Sequence, residues 1–377
     1  MRGNLTLLFD DFEQVHLGKD VFLFPYYLGK RYDMNVHIVY PQTPTNIHLS
    51  AEYRNAAFHP IKCTHSEKSE YATFKPYLEE HAKEIDLLML FHQVSTTEKL
   101  CILYKTLNKR GKCYVKLDVG ASIIPSRTRL KRNIFKFLHN TFQSYKFCQM
   151  VDYVSIETTE AFNRIRQSKA IHLAFGDKLH FHSNGFDEEL LEELGIRINS
   201  FSKKENLLIT VGQLGTLAKN TPMFLNALKL VNLHDWKVAL IGPIAPEFED
   251  EVKAFYNENP NLKEQVIFTG SISDKKELWE YYNRAKVFCL TSLWESFALV
   301  LTEAYRFGDY IVTTPVGAYR DVVLANKVGE CVPVKNYKAL AESLQNIIDG
   351  KTDIDVYSDE KMRQKYSMDC IVREFEL

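Results

Sequence analysis

The sequence predicts an α/β protein built from two doubly wound domains. Three observations carry this. The chain has 377 residues, too many for one ordinary domain and suited to two of roughly 180 residues each. Short apolar runs alternate with amphipathic stretches. The alternation occurs twice, once in each half. Strand–helix alternation produces parallel sheets because two parallel neighbours need a crossover, and the helix supplies it on a sheet face.

In the first half the strand candidates are Leu5–Phe9, Val36–Tyr40, Leu87–Phe91, Tyr114–Leu117, Tyr153–Ile156 and Leu179–Phe181. In the second half they are Leu207–Val211, Lys237–Ile241, Val266–Phe268, Val287–Leu290, Tyr310–Thr313 and Glu330–Pro333. Between them, Lys99–Arg110 and Pro222–Val231 space their apolar residues by three and four, the period of an amphipathic helix. The boundary is expected after Asn184-Gly185-Phe186-Asp187, where a turn pair follows a strand. That gives domains 1–187 and 188–377, with the last helix crossing back to the first domain. Two such domains are expected to face each other across a cleft, with ligands bound beyond the carboxyl ends of the strands.

Composition narrows the function classes. The chain is 45% hydrophobic and 25% charged, as globular proteins are. No stretch approaches the ~20 apolar residues of a membrane span. The apolar run at the start is cut off by Asp10 and Asp11, so it reads as a buried first strand rather than a signal peptide. The seven cysteines are scattered with no Cys-x-x-Cys pair, which argues against a zinc site or a disulfide framework and for a reducing, cytoplasmic setting. The net charge of −1 hides an asymmetry: residues 1–187 carry 25 Lys+Arg against 19 Asp+Glu, and residues 188–377 carry 22 against 29. The first half is the one suited to an anionic surface. A near-neutral chain with its basic residues in one segment does not read as a nucleic-acid binder.

Three segments carry candidate chemistry. Glu295-Ser-Phe-Ala-Leu-Val-Leu-Thr-Glu303 follows a strand and opens a helix. The backbone N–H groups of Phe297, Ala298, Leu299 and Val300 would lie at that helix N-terminus, a favourable place for a diphosphate. Glu295 could accept hydrogen bonds from sugar hydroxyls, and Glu303 from two ribose hydroxyls. Two Glu residues eight apart also fit a solvated helix face; the strand–loop–helix setting gives them the other meaning. The second segment is Thr210-Val-Gly-Gln-Leu-Gly-Thr-Leu-Ala-Lys219-Asn, a strand ending in a glycine-containing loop. Gly212 and Gln213 would bring backbone near phosphate and Lys219 would supply the countercharge. Its spacing is not that of a Walker loop, and taken alone a structural turn with an exposed Lys is the better reading. The third is Val15-His16-Leu17-Gly18-Lys19-Asp20, where Gly18 would allow close approach of a ligand.

These pieces, taken in order, resemble the nucleotide-sugar domain of family 4 glycosyltransferases, retaining enzymes of the GT-B fold. The match runs from the Val-Gly-x-Leu loop and Lys219 through Ile241-Gly242-Pro243, Val266-Ile-Phe-Thr-Gly270 and Ala285-Lys-Val-Phe288 to the Glu295/Glu303 pair. It closes with Thr313-Thr-Pro-Val-Gly317 and Gly329-Glu-Cys-Val332, covering about residues 205–345. The first half is similar only through the Gly18 loop and Asn184-Gly-Phe-Asp187. The resemblance implies that Glu303 binds ribose and that Glu295 lies near the donor sugar. It implies that Lys219 stabilises the leaving diphosphate, that Gly18 leaves room for it, and that Ile272 lies near the base. Two departures stand out. Gln213 occupies a place where the family usually has Arg, and Asp118 a place where it often has His. Asp118 could bond a sugar or acceptor hydroxyl but cannot act as a cation; His16 and His92 are the residues that could compensate.

The resemblance implies a metal-independent hexosyltransferase without a cofactor, using a nucleotide-sugar donor and a sugar or lipid-linked acceptor in surface polysaccharide or glycolipid synthesis. Asp353-Ile-Asp355 lies in a polar stretch without strand context and is not read as a metal motif. Val119–Val151 contains no acidic residue, and residues 127–147 interleave six basic side chains with aromatic ones. That pattern reads as a peripheral contact with an anionic inner membrane face, or as a solvated helix packed on the domain. Two other readings stay open: the same chemistry on a protein or small-molecule acceptor, and a nucleotide-sugar-binding regulatory subunit that has lost activity through Gln213 and Asp118.

Overall fold

The structure is a computed structural model. It describes residues 2–62, 70–92, 94–118, 134–167 and 175–376. The chain forms two compact units: Met1–Asn184 together with Met368–Leu377, and Gly185–Ser367.

The first unit contains β1 (Asn4–Leu8), β2 (Asn35–Pro41), β3 (Glu52–Tyr53), β4 (Ala56–Ile61), β5 (Leu87–Phe91), β6 (Lys112–Leu117), β7 (Tyr153–Ile156) and β8 (Leu179–Phe181). They pair in the order β3-β4-β2-β1-β5-β6-β7-β8. Every pairing is parallel except β3 with β4. The central strand β5, Leu-Leu-Met-Leu-Phe, is buried along its whole length, as a strand covered by helices on both faces must be. The six strands expected in this half are all present. Sequence pattern missed β3 and β4, because Ala56–Ile61 contains His59 and Pro60 and has no apolar run. β3 pairs only with Ala56 and Ala57, so beyond them β4 is a sheet edge, the place where a sheet tolerates proline.

The helix expected over Lys99–Arg110 runs from Ser95 to Leu107. Asn108 ends it: its Oδ1 accepts from the Gly111 N–H at 2.9 Å, while its Nδ2 donates to the carbonyls of Ala82 and Ile85. The terminal helix Met368–Arg373 packs on the helix Asp20–Arg31. Tyr32 Oη donates to the Phe375 carbonyl at 2.7 Å, and the Phe375 ring lies against Tyr114, Tyr153 and His182.

The second unit contains β9 (Leu207–Val211), β10 (Lys237–Ile241), β11 (Val266–Gly270), β12 (Val287–Leu290), β13 (Tyr310–Thr313) and β14 (Gly329–Cys331). Their order is β11-β10-β9-β12-β13-β14, all parallel. The chain winds outward in one direction from β9 and in the other from β12. The switch point between these two strands opens a crevice at their carboxyl ends. On the faces of this sheet lies a core that includes Leu208, Phe224, Leu228, Val238, Leu240, Val266, Val287 and Leu344.

A buried ion pair ties this unit together. Lys204 Nζ lies 2.6 Å from Asp309 Oδ1 and donates also to the carbonyls of Tyr282 and Ala285. Both side chains are essentially inaccessible. Burial raises the Asp309 carboxyl to about 7, with Lys204 pulling the other way. Removing one partner strands the other in an apolar setting. Lys204→Met is therefore expected to destabilise the unit by about 3–5 kcal/mol in urea unfolding at neutral pH, and Lys204→Met/Asp309→Asn to recover most of that loss.

Candidate functional site

The crevice of the second unit is built from two loops. The first leaves β9 and runs through Gly212, Gln213 and Lys219 into the helix Thr221–Leu228; the second leaves β12 and runs through Ser292 and Glu295 into the helix Leu299–Phe307. The loops are joined by backbone and side chain. Leu293 N–H donates to the Ala218 carbonyl at 2.7 Å, Thr291 Oγ1 to the Lys219 carbonyl at 3.1 Å, and Asn220 Nδ2 to the Thr291 carbonyl at 3.2 Å. Thr210, Gly212, Leu214, Lys219, Leu290 and Thr291 line a hollow where the strands end.

Lys219 and Glu295 meet in this crevice. Lys219 Nζ lies 2.6 Å from Glu295 Oε1, which also accepts from Ser292 Oγ at 2.7 Å. Their side chains are 25% and 16% exposed, so the pair is sheltered yet reachable. The ammonium has three donors, so the contact with Glu295 leaves capacity for an anion. Gln213 is exposed, and its carbonyl accepts from Thr216 Oγ1.

The helix beside the pair begins at Leu299, with Ala298 as its N-cap at φ +69. The N–H groups of Phe297, Ala298, Leu299 and Val300 are taken by no other described residue. They are unsatisfied donors at a positive helix end, the condition that favours an anion. The bend is held from behind by Gly317, at φ +56: Ala318 N–H donates to the Phe297 carbonyl at 2.8 Å, and a Cβ on Gly317 would lie 2.2 Å from that same oxygen. Close approach also explains Gly242, where a Cβ would lie 1.9 Å from the Gly212 carbonyl.

Glu303 is more engaged than its spacing implied. Oε1 accepts from Lys275 Nζ at 2.5 Å and from Trp279 Nε1 at 3.1 Å; Oε2 accepts from Tyr282 Oη at 3.1 Å. A carboxylate offers about four acceptor positions, so one remains on Oε2, and a second opens on Oε1 if Lys275 swings away. Ile272 is half-buried two residues past Gly270, which ends β11 at φ +74. Lys275, Trp279 and Tyr282 were missed by sequence reasoning. Their signal was helical spacing, four and then three residues apart on Lys275–Arg284, which puts three donors on one face.

The first unit holds the other named residues at the carboxyl ends of its strands. Gly18 ends the short turn Gln14–Gly18; a Cβ there would meet nothing within 4 Å, so no local packing demands glycine. His16 Nδ1 accepts from the Glu13 N–H at 2.9 Å, and its ring packs on Phe9 and Phe12. Burial, then the charge of Lys19, lowers its pKa below the usual imidazole value, so at neutral pH His16 is neutral and does not supply the missing cation. His92 is exposed at φ +59, its N–H bonded to the Lys116 carbonyl. Asp118 is half-buried just past β6. Beside it lie Asn184 and two residues that sequence reasoning passed over, Lys116 and Glu157. The signal was Lys116 itself, a charge inside an apolar strand, which must have a buried partner.

Part of the segment 127–147 lies outside the described residues, which resume at the helix Ile134–Met150. On that helix Phe147 is buried, whereas Phe142 and Tyr145 are 67% and 62% exposed. Its inner face is fixed by Gln143 and Ser144, both hydrogen-bonded to Glu98. Among the described residues no helix is long and apolar enough to cross a membrane.

Gly317→Ala is expected to push Phe297 and Ala298 out of place. The anticipated cost is about 1–3 kcal/mol of stability, read as a lowered thermal midpoint.

Comparison with known proteins gives this geometry its setting. Residues 193–367 match the family described as Glycosyl transferases group 1. The chain is 24% identical over 225 residues to the capsular polysaccharide biosynthesis glycosyltransferase CapM of Staphylococcus aureus, covering 57% of this chain and 56% of that one. It is 27% identical over 225 residues to an α-1,4-N-acetyl-D-galactosaminyltransferase of Campylobacter jejuni, covering 58% of this chain and 55% of that one; the relative is named for a GalNAc-containing, undecaprenol-diphosphate-linked acceptor. The chain thus spans about half the length of the curated relatives it matches. Among solved structures, Anabaena HepE in complex with UDP superposes with a TM-score of 0.67 at 15% identity, over 98% of each chain. The chain has the GT-B fold of glycosyltransferases, and its residues 193–367 are similar to the glycosyl transferases group 1 family.

Proposed function

We propose that this chain is a retaining glycosyltransferase that takes a hexose from a UDP- or GDP-sugar and passes it to a sugar or lipid-linked acceptor in surface polysaccharide or glycolipid synthesis. The observation that carries the reading is the placement of Lys219, Glu295 and the unsatisfied N–H groups of Phe297 to Val300 in one crevice at the switch point of β9 and β12. A diphosphate needs fixed positive charge and directed donors. Lys219 provides the first and the start of the Leu299–Phe307 helix the second.

In this reading the diphosphate of the donor seats against those N–H groups and draws Lys219. Glycosidic cleavage leaves a further negative charge on phosphate, which the same groups stabilise where it develops. No metal or cofactor is assigned a role. Glu295, tied to Lys219 and Ser292, orients a sugar hydroxyl. The open acceptor position on Glu303 Oε2 takes a ribose hydroxyl, and Ile272 flanks the base. Retention is assigned to same-face attack by the acceptor, since the named loops offer no carboxylate nucleophile beyond Glu295, which is already paired.

The lipid-linked acceptor is supported by two things. One relative's name carries an undecaprenol-linked acceptor. The helix Ile134–Met150 also presents Phe142 and Tyr145 to solvent, two large aromatic groups suited to a lipid interface. The peripheral membrane contact rests on these.

The test is a hydrolysis and binding screen of UDP-, GDP-, ADP- and dTDP-sugars. Turnover is expected with a UDP- or GDP-hexose. Lys219→Ala is expected to lower kcat by about 10²–10³, and Glu303→Ala to weaken nucleotide binding with a smaller effect on kcat. Binding without turnover across the panel would instead support a nucleotide-sugar-binding regulatory subunit, the reading motivated by Gln213 and Asp118. A flotation assay with anionic liposomes at low salt checks the membrane contact: wild type is expected to bind and Phe142→Ser/Tyr145→Ser to bind less.

A further inference from the structure

The first unit buries a polar cluster at the carboxyl ends of β6 and β7. Lys116 Nζ lies 2.6 Å from Asp20 Oδ2 and 3.1 Å from Glu157 Oε2, and Asn184 Nδ2 donates to the same Glu157 oxygen at 2.8 Å. The Lys116 and Glu157 side chains are 0% and 1% exposed. Around them Tyr114 Oη is engaged with Ser155 Oγ, and burial, then His180 and Lys116, hold His182 down at about 3 and therefore neutral. One cation thus contacts two carboxyl groups, Asp20 and Glu157, and Asp118 is a third beside Glu157.

The other oxygen of Glu157, Oε1, is buried and receives no hydrogen bond from any described N–H or O–H. Asp118 and Glu157 follow the paired residues Leu117 and Ile156 of β6 and β7, which sets them side by side, and Asp118 is among the groups that raise the Glu157 carboxyl. A hydrogen bond with carboxyl oxygens at both ends requires a proton on one of them. Glu157 is the one to carry it. Burial, partly offset by Lys116 and reinforced by Asp118 and Asp20, pushes its carboxyl up to about 8. Asp20 then neutralises Lys116, and Asp118 keeps part of its surface in solvent.

We propose that Glu157 is a positioning residue: as a neutral acid it donates a hydrogen bond to Asp118, and it fixes that carboxylate at the end of β6 as the group that receives a hydroxyl of the acceptor substrate. The first half of this stands on the first unit alone. The second rests on the glycosyl-transfer reading.

The sign of the pH dependence follows from a raised acid. The folded chain keeps the Glu157 proton up to about 8, whereas the unfolded chain releases it near the ordinary carboxyl value of 4.5. Stability from this group is full below the unfolded value and is lost as pH rises through the folded one. Glu157→Gln reproduces every contact, its carbonyl accepting from Lys116 and Asn184 and its amide donating to Asp118, but it cannot ionise.

The experiment uses the full chain with ¹³C-labelled glutamate carboxyls. Wild type should show one glutamate titrating near 8, absent in Glu157→Gln, and the thermal midpoint of Glu157→Gln should exceed that of wild type at pH 8 but not at pH 5. An ordinary titration for every glutamate would overturn the shared proton. Transfer to alkyl glucosides from the donor found in the screen supplies the second readout. Glu157→Ala should lose at least tenfold in rate at pH 7 and Glu157→Gln should restore most of it without the alkaline decline of wild type; Asp118→Asn should raise the acceptor KM at least tenfold. Transfer by Asp118→Asn with unchanged acceptor KM would overturn the acceptor role. If wild type transfers nothing, the glycosyl-transfer reading and the acceptor role fail together, and the titration still decides the proton pair.

Discussion

The contact between Lys219 and Glu295 is the constraint on which the second unit's site depends. It joins the loop after β9 to the loop after β12 across the point where the sheet reverses its winding. A parallel sheet leaves a crevice at that point whatever its sequence. What makes the crevice specific is that a cation is held there by a single carboxylate contact, beside N–H groups that no described residue satisfies. A Lys fully enclosed by carboxylates would be structural; one held by one oxygen and 25% exposed remains available to a ligand.

The two units show both ways of managing a lysine. Lys204 is locked away with Asp309 and two carbonyls, and it organises the packing of Tyr282 and Ala285. Lys116 is equally buried, but its surroundings carry more carboxyl groups than it can neutralise. Low polarity makes the excess charge costly, and a carboxyl group can remove it by keeping its proton. Burial therefore has opposite consequences in the two places: a closed pair in one unit, and in the other a carboxyl pair reaching the rim of the sheet.

The interior strands among the twelve visible as apolar runs were legible because parallel strands buried on both faces have little choice but to be apolar. The edge strands β3 and β4 were not, because an edge satisfies only one side and admits His59 and Pro60. At the site, Glu295, Glu303 and Lys219 could be named from motif order: Lys219 and Glu295 lie in loops where a strand meets a helix, and Glu303 lies on the helix Leu299–Phe307. Their partners could not be named so readily. Ser292, Lys275, Trp279 and Tyr282 take their meaning from which donors reach a given carboxylate, a matter of side-chain direction that motif order does not encode. His16 shows the reverse: a histidine after a strand suggested a cation, but its ring is committed to the Glu13 N–H and packed on phenylalanines.

The central claim is that Lys219 serves Glu295 and a donor diphosphate through one ammonium group, so the two cannot be independent. A double-mutant cycle with Lys219→Ala and Glu295→Ala, read as UDP and GDP affinity by calorimetry, measures that dependence. The account predicts weaker nucleotide binding for Lys219→Ala, equal or tighter binding for Glu295→Ala, and a coupling of about 0.5–3 kcal/mol between them. Strictly additive effects, with Lys219→Ala binding the nucleotide as wild type does, would contradict it.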